Sequence, residues 1–430
     1  MKDIIIFIDL YNDFDQILPF IDYVLSRQKA KIILYKTRKS NLSGCEDHLN
    51  YLKDNYNLSP VYYDRNFSKH YFIIFNIYKR FVRFSNKGKC NPFFLPLMII
   101  ASRLRPIASF LTEIEVKKNK SDLSADAILM DFGEELGFYG SSIVKFFQGA
   151  DTVLVGYTHG YSMYTNFDPL RKDKSIPNLN VFKLFLLNLS KPRVKKRPYF
   201  DRYIAGKEQR NTYFSTSMMS NYESKYLNRV DEIGLIRFTK EWIDIYRNKV
   251  ITPKNFSYGN EKKLNVVLFI SDQDFNVHLD ELMMSIKKLS QCKSINFVYK
   301  PHTRSLMCGM DNEKINGYDA SNISSLELSS WADVGIVYGT SIAFQLILDR
   351  VPIIMPRYVH GNTTILEENN ACIVVDDVAS LIDIFEYSID EINRMVDPDK
   401  VDYLIKHYVY GDGDYSSLME CFYKSAVDSY

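Results

Sequence analysis

The chain is short of the residues that staple, ligate or span, and each shortage removes a class of protein. Its six cysteines (Cys45, Cys90, Cys292, Cys308, Cys372 and Cys421) are scattered over 430 residues. None forms a C-x-x-C pair and no His/Cys cluster has zinc-ligand spacing, so a disulfide scaffold and a structural metal drop out and a reducing compartment is expected. No apolar run reaches the ~20 residues of a bilayer span. The longest, 93–101, contains Pro96 and sits between basic segments; it can lie on a membrane but not cross one. An excess of one charge is missing too: 54 Lys and Arg face 52 Asp and Glu, a net charge of +2, which gives no reason to expect nucleic acid as a ligand.

What is present is globular. With 46% hydrophobic and 25% charged residues there is enough apolar surface to offset chain entropy throughout. The length exceeds what one core supports, so two domains are expected. Two acids so close to the short apolar run at 3–9 are unlike a secretory leader, and the expected location is cytoplasmic, with peripheral contact to the inner face of the cell membrane as a further expectation.

Short apolar runs alternate with amphipathic stretches, the pattern of parallel strands covered by helices. Strands are read at 4–9, 31–35, 61–63, 127–131, 152–155, 202–205 and 232–235, then at 265–270, 296–300, 334–337, 353–355 and 373–375. The polar stretch between the two sets carries Pro253 and Gly259 and reads as a linker. The expected division is an N-terminal Rossmann-like domain over 1–246, a linker over 247–262, a second Rossmann-like domain over 263–410, and a closing helix over 411–430 that packs back on the first domain. One stretch, 70–111, departs from the rhythm, being rich in Phe, Ile, Tyr, Lys and Arg. It reads either as a helix pair covering the first sheet or as a basic amphipathic surface for anionic lipid.

Three strand tips carry candidate chemistry. Lys300-Pro301-His302-Thr303-Arg304 ends a buried strand, Pro301 forces the turn, and the three cationic or protonatable groups face the crevice where α/β sheets bind ligands. Gly339-Thr340-Ser341 leads from a strand into a helix and offers close backbone approach, hydroxyls and amides to a phosphate; Gln345, one turn on, is placed to reach a ribose hydroxyl. His159, before Gly160, follows a strand of the first half and suits a general base. Asp131, Glu134 and Glu135 at another tip are alternative bases or acceptor-binding groups, and Asp9, Asn12 and Asp13 after the first strand serve likewise. The pairs Asp13/Asp15, Asp272/Asp274, Asp397/Asp399 and Asp412/Asp414 read as loop acids, and no metal ligand set is assigned.

These motifs resemble bacterial GT-B-fold transferases that build capsule, teichoic acid and lipopolysaccharide, including the CDP-glycerol glycerophosphotransferases and the Kdo and sialic-acid capsule transferases. His159-Gly160 is similar to the His-Gly motif carrying the family's catalytic base, Lys300-Pro301-His302 to its Lys-Pro-His-Pro donor motif, and Gly339-Thr340-Ser341 to its Ser-Ser phosphate turn. Thr303 replaces the second proline, and Gln345 stands where an acid is common. The segment 352–360 is similar to the strand and loop after the donor helix, with His360 as either a donor contact or a surface histidine. The resemblance implies a metal-independent GT-B transferase, without cofactor, moving a sugar or polyol phosphate from a CMP-, CDP- or UDP-linked donor to a hydroxyl of a lipid-linked or oligosaccharide acceptor. A UDP-sugar 2-epimerase of the same fold and a non-catalytic nucleotide-binding scaffold are the alternatives.

Overall fold

The computed structural model describes residues 1–87, 95–134, 137–158, 160–165, 199–210, 228–251, 256–271, 277–301 and 317–428. The first sheet is built from β1 (Lys2–Phe7), β2 (Ala30–Lys36), β3 (Val61–Tyr62), β4 (Ala127–Asp131), β5 (Val153–Tyr157), β6 (Arg202–Gly206) and β7 (Val230–Ile233). All pair in parallel in the order β3-β2-β1-β4-β5-β6-β7. Parallel strands are covered on both faces, so their sequences are unbroken aliphatic runs; Ile4, Ile5 and Ile6 of β1 are fully buried in succession. One face is covered by α1 (Tyr11–Ser26) and α2 (Glu46–Tyr56), the other by α3 (Lys69–Lys87), α4 (Leu95–Lys118) and α5 (Phe138–Phe147).

The second sheet runs β10-β9-β8-β11-β12-β13, again parallel, from β8 (Leu264–Phe269), β9 (Ile295–Lys300), β10 (Tyr318–Asp319), β11 (Val334–Val337), β12 (Ile353–Pro356) and β13 (Ile373–Val375). β10 was not expected. Two residues carry no periodicity, and it exists through its pairing with Val298 and Tyr299 of β9.

The helix Tyr415–Val427, capped by Asp414 and Ser417, returns to the first sheet. Leu418, Met419 and Phe422 are buried there, Phe422 lies 4.8 Å from the Phe20 ring, Glu420 pairs with Lys29, and Lys2 Nζ donates to the Val427 carbonyl at 2.8 Å. A buried ionic knot closes the same domain. Asp15 on α1 accepts from Arg237 Nε at 2.7 Å and bonds His48 Nε2 at 3.1 Å, and the Tyr246 hydroxyl meets the same His48 nitrogen at 3.1 Å.

The domains touch at several points. Arg247 pairs with Asp349 at 2.6 Å, and Leu235 N donates to the Val409 carbonyl at 2.9 Å. Beyond β5, Tyr164 forms an antiparallel bridge with Thr364, flanked by Thr165 N to the Thr363 carbonyl (3.0 Å) and Ile365 N to the Met163 carbonyl (2.9 Å). This last contact joins a loop after the carboxyl end of β5 to a loop after the carboxyl end of β12, so the ligand-binding edges of the two sheets face each other.

Candidate active site

At the carboxyl edge of the first sheet Asp9, Asp13, Asp131 and Glu134 line one pocket with Phe7, Thr37 and Tyr139. Chain order does not put them together; the register does, since β1 and β4 are neighbours with Ile4 opposite Ala127. Each carboxylate is held differently. Asp9 accepts from the hydroxyls of Ser40 and Thr37 at the tip of β2. Asp13 is buried and accepts from Leu10 N at 3.0 Å, satisfying the backbone amide that opens α1. Asp131 ends β4 beside Tyr157 of β5.

Glu134 sits in the turn from β4 into α5. Its carbonyl accepts from Gly137 N at 2.8 Å, and a Cβ on Gly140 would come within 2.1 Å of that carbonyl, so only glycine lets α5 seat against the tip. The Glu134 carboxyl is pushed up to about 7, first by burial, against the pull of Lys39, and further by the negative charges of Asp9, Asp131 and Asp13. A carboxyl that titrates near neutrality beside other carboxyls is what proton transfer to or from a sugar hydroxyl needs.

Across the interface the second domain presents the tips of β9, β11 and β12. Lys300 ends β9, but its ammonium donates to the carbonyls of Ala320 (3.1 Å), Ser321 (2.8 Å) and Ile323 (2.7 Å), which fixes the turn after β10. Thr340 and Ser341 follow β11; the helix after them spans Ala343–Leu348 and starts without a side-chain cap, so neither hydroxyl is taken by it. Gln345, expected at the ribose, lies inside the second domain. Its side chain is fully buried and donates to Asp349 at 3.0 Å, in the network that also binds Ser329 and Arg247. The i+4 argument assumed a helix from Ser341; with the first turn beginning at Ala343, Gln345 faces inward.

His360 is buried, not a surface histidine. Its Nδ1 accepts from Asn362 N at 3.1 Å, which places the proton on Nε2, and burial holds its pKa down at about 4, outweighing Glu367. His360 Nε2 and both side-chain atoms of Asn362 are buried without a hydrogen-bond partner. Such atoms cost free energy unless a water or ligand reaches them, which makes this loop after β12 a candidate ligand contact.

Tyr164 joins the two halves. Its ring lies 5.7 Å from His360, and a Cβ on Gly339 would fall 1.9 Å from its hydroxyl, at a backbone φ of +61°. Gly339→Ala is therefore expected to cost roughly 2–4 kcal/mol, about 1–2 from the left-handed backbone and the rest from overpacking. Denaturant unfolding measures it, and in a Tyr164→Ala background only the backbone share should remain; the full cost in both backgrounds would remove Tyr164 from the contact.

Of the residues named from sequence, the structure brings Asp131 and Glu134 together with Asp9 and Asp13, and sets Gly339 against Tyr164. His159, Glu135, His302 and Arg304 lie outside the described residues, as do Asp272 and Asp274. Asn12 is on α1 but not among the pocket residues. Asp397 and Asp414 cap helices and Asp412 bonds His407. Among the described residues no three His, Cys, Asp or Glu side chains are grouped to hold a metal ion. Tyr164 and Asn362 were missed: a tyrosine in a loop and an asparagine after His-Gly carry no periodic or motif signal.

No protein-family model and no curated protein sequence matches this chain. Among solved structures, the glycotransferase of kitacinnamycin is similar over 99% of this chain and 99% of its own, with a TM-score of 0.52 at 10% identity. S. aureus MnaA with UDP is similar over 95% of this chain and 96% of its own (TM-score 0.48, 11% identity), and the wall teichoic acid polymerase TagF over 99% and 87% (0.46, 12%). With its two facing parallel sheets the chain has the two-domain α/β GT-B fold.

Proposed function

We propose that this chain is a glycosyltransferase moving a sugar, or a polyol phosphate, from a CMP-, CDP- or UDP-linked donor to a hydroxyl of a bacterial surface glycan. The observation that carries the reading is Glu134, a carboxyl titrating near pH 7 in a pocket at the edge of the first sheet, one strand from the loop that joins the domains. Glu134 or His159 takes the proton of the acceptor hydroxyl, with Asp131 and Asp9 orienting the acceptor. The oxygen attacks the donor carbon or phosphorus while the bond to the nucleotide phosphate breaks. His302, Arg304 and the amides and hydroxyls of Gly339 to Ser341 receive the charge of the leaving nucleotide, the task a divalent cation performs in other transferases. Lys300 fixes the turn after β10 beside them in the second sheet. His360, neutral, and Asn362 supply uncharged hydrogen bonds to the donor.

Thermal unfolding with CMP, CDP, UDP and GDP tests the donor half: a bound nucleotide at 100 times its Kd adds about 2.7 kcal/mol. A shift with one pyrimidine nucleotide is expected, and no shift with any of the four would overturn the donor half of the reading. A second reading draws on the same pocket. Four carboxylates around one space also suit a UDP-sugar 2-epimerase, which moves a proton at carbon. Incubation with UDP-GlcNAc and no acceptor separates the two, since only the epimerase yields a new nucleotide sugar.

A further inference from the structure

We propose that the outer face of the α3–α4 hairpin docks this chain on an anionic lipid surface. From Arg65 to Thr112 the sequence contains no Asp or Glu, while Arg and Lys recur through it. The two helices run antiparallel in a register fixed by Ser68 donating to Glu115 at 2.7 Å and Thr112 donating to the Tyr71 hydroxyl at 3.4 Å. Four residues forward on α3 are then matched by four back on α4. Ile73 comes level with Phe110 and Arg80 with Arg103, and Ile77 falls within one residue of Ile107.

Tyr71, Phe75, Ala108 and Thr112 take the inner face and are buried, whereas Ile73, Ile77, Ile107 and Phe110 are 56%, 42%, 48% and 63% exposed. Positions 73, 77 and 80 on one helix and 103, 107 and 110 on the other recur at helical spacing, so the exposed side chains form a single two-row face. Arg80 and Arg103 border it at one end and Lys69 at the other, all exposed. The acids that follow the stretch turn away: Glu113 pairs with Lys145 of α5 at 3.7 Å, and Glu115 is buried against Ser68.

Aliphatic and aromatic side chains bordered by cations are the composition of a surface that enters the headgroup boundary while its guanidiniums meet lipid phosphates. The inference goes beyond the transfer reading, and its test uses binding alone, so the two can fail separately.

The test is co-flotation of the full chain with phosphatidylcholine vesicles, with and without phosphatidylglycerol. Binding is expected only with the anionic lipid, and weaker in high salt. Arg80→Glu with Arg103→Glu should lower partition by at least about 30-fold, given roughly fivefold per basic residue at such a surface. Ile77→Ser with Phe110→Ser should also weaken it, and both variants should melt with the unaltered chain because these positions are exposed. Absence of binding to anionic vesicles, equal binding to neutral ones, or undiminished binding of the charge-reversed variant would overturn the proposal. So would a dimer in solution that Phe110→Ser abolishes, since that assigns the face to a second copy.

Discussion

Glu134→Gln is expected to lower kcat by about 10²–10⁴-fold, the usual share of a positioned general base, with little change in KM. The same substitution should raise stability above neutral pH, and that pairing separates a catalytic role from a structural one. Native Glu134 keeps its proton up to about pH 7, whereas an unfolded glutamate releases it near 4.5. Between those values the folded state holds the extra proton, so this side chain favours folding less and less as pH rises through the window. Removing the charge should then add roughly 1–3 kcal/mol at pH 8 and almost nothing at pH 4. For the unaltered enzyme kcat/KM should rise as pH passes about 7, because the base acts only when ionised; a fall over the same range would give Glu134 the role of acid. Unchanged turnover in the variant would take it out of the chemistry.

The second large effect lies in the ionic knot. Asp15→Ala is expected to cost about 3–5 kcal/mol, because it leaves the Arg237 guanidinium buried without its carboxylate. Burial alone would raise the Asp15 carboxyl, but Arg237 and His48 overcome it and hold its pKa at about 2 against an ordinary 3.8. That stabilisation is complete above about pH 4 and is lost as pH falls through about 2. Urea unfolding between pH 2 and 5 should show the loss in the parent and a shallower one in the variant, where other lowered carboxyls such as Asp414 and Glu420 still titrate. Asp15→Leu with Arg237→Met, which removes both charges, should recover much of the cost; a double variant as unstable as the single one would show that packing, not charge, is at stake.

The fold was legible because parallel strands must be apolar on both faces. Runs such as 127–131 and 334–337 stand out between helical patterns and end where Asp or Gly stops them. The two-residue β10 has no such pattern and depends wholly on β9. The acids of the pocket were legible one by one, each at or just after a strand end, but not as a group, because only the β1–β4 register brings the two tips together. Gln345 was placed one turn into a helix from Ser341; the helix starts at Ala343, and the side chain is buried with its amide on Asp349. The burial of His360 depends on Tyr164, Tyr338 and Val277 arriving from other parts of the chain, which no local sequence signal reports.

The return of the helix Tyr415–Val427 to the first sheet has a consequence for biosynthesis. That helix is translated after the whole second domain, yet it covers apolar surface of the first. The nascent first domain must therefore leave a ribosome with one flank open, and it can close only once its remote covering segment emerges. Chaperone dependence and aggregation during synthesis should concentrate in that interval.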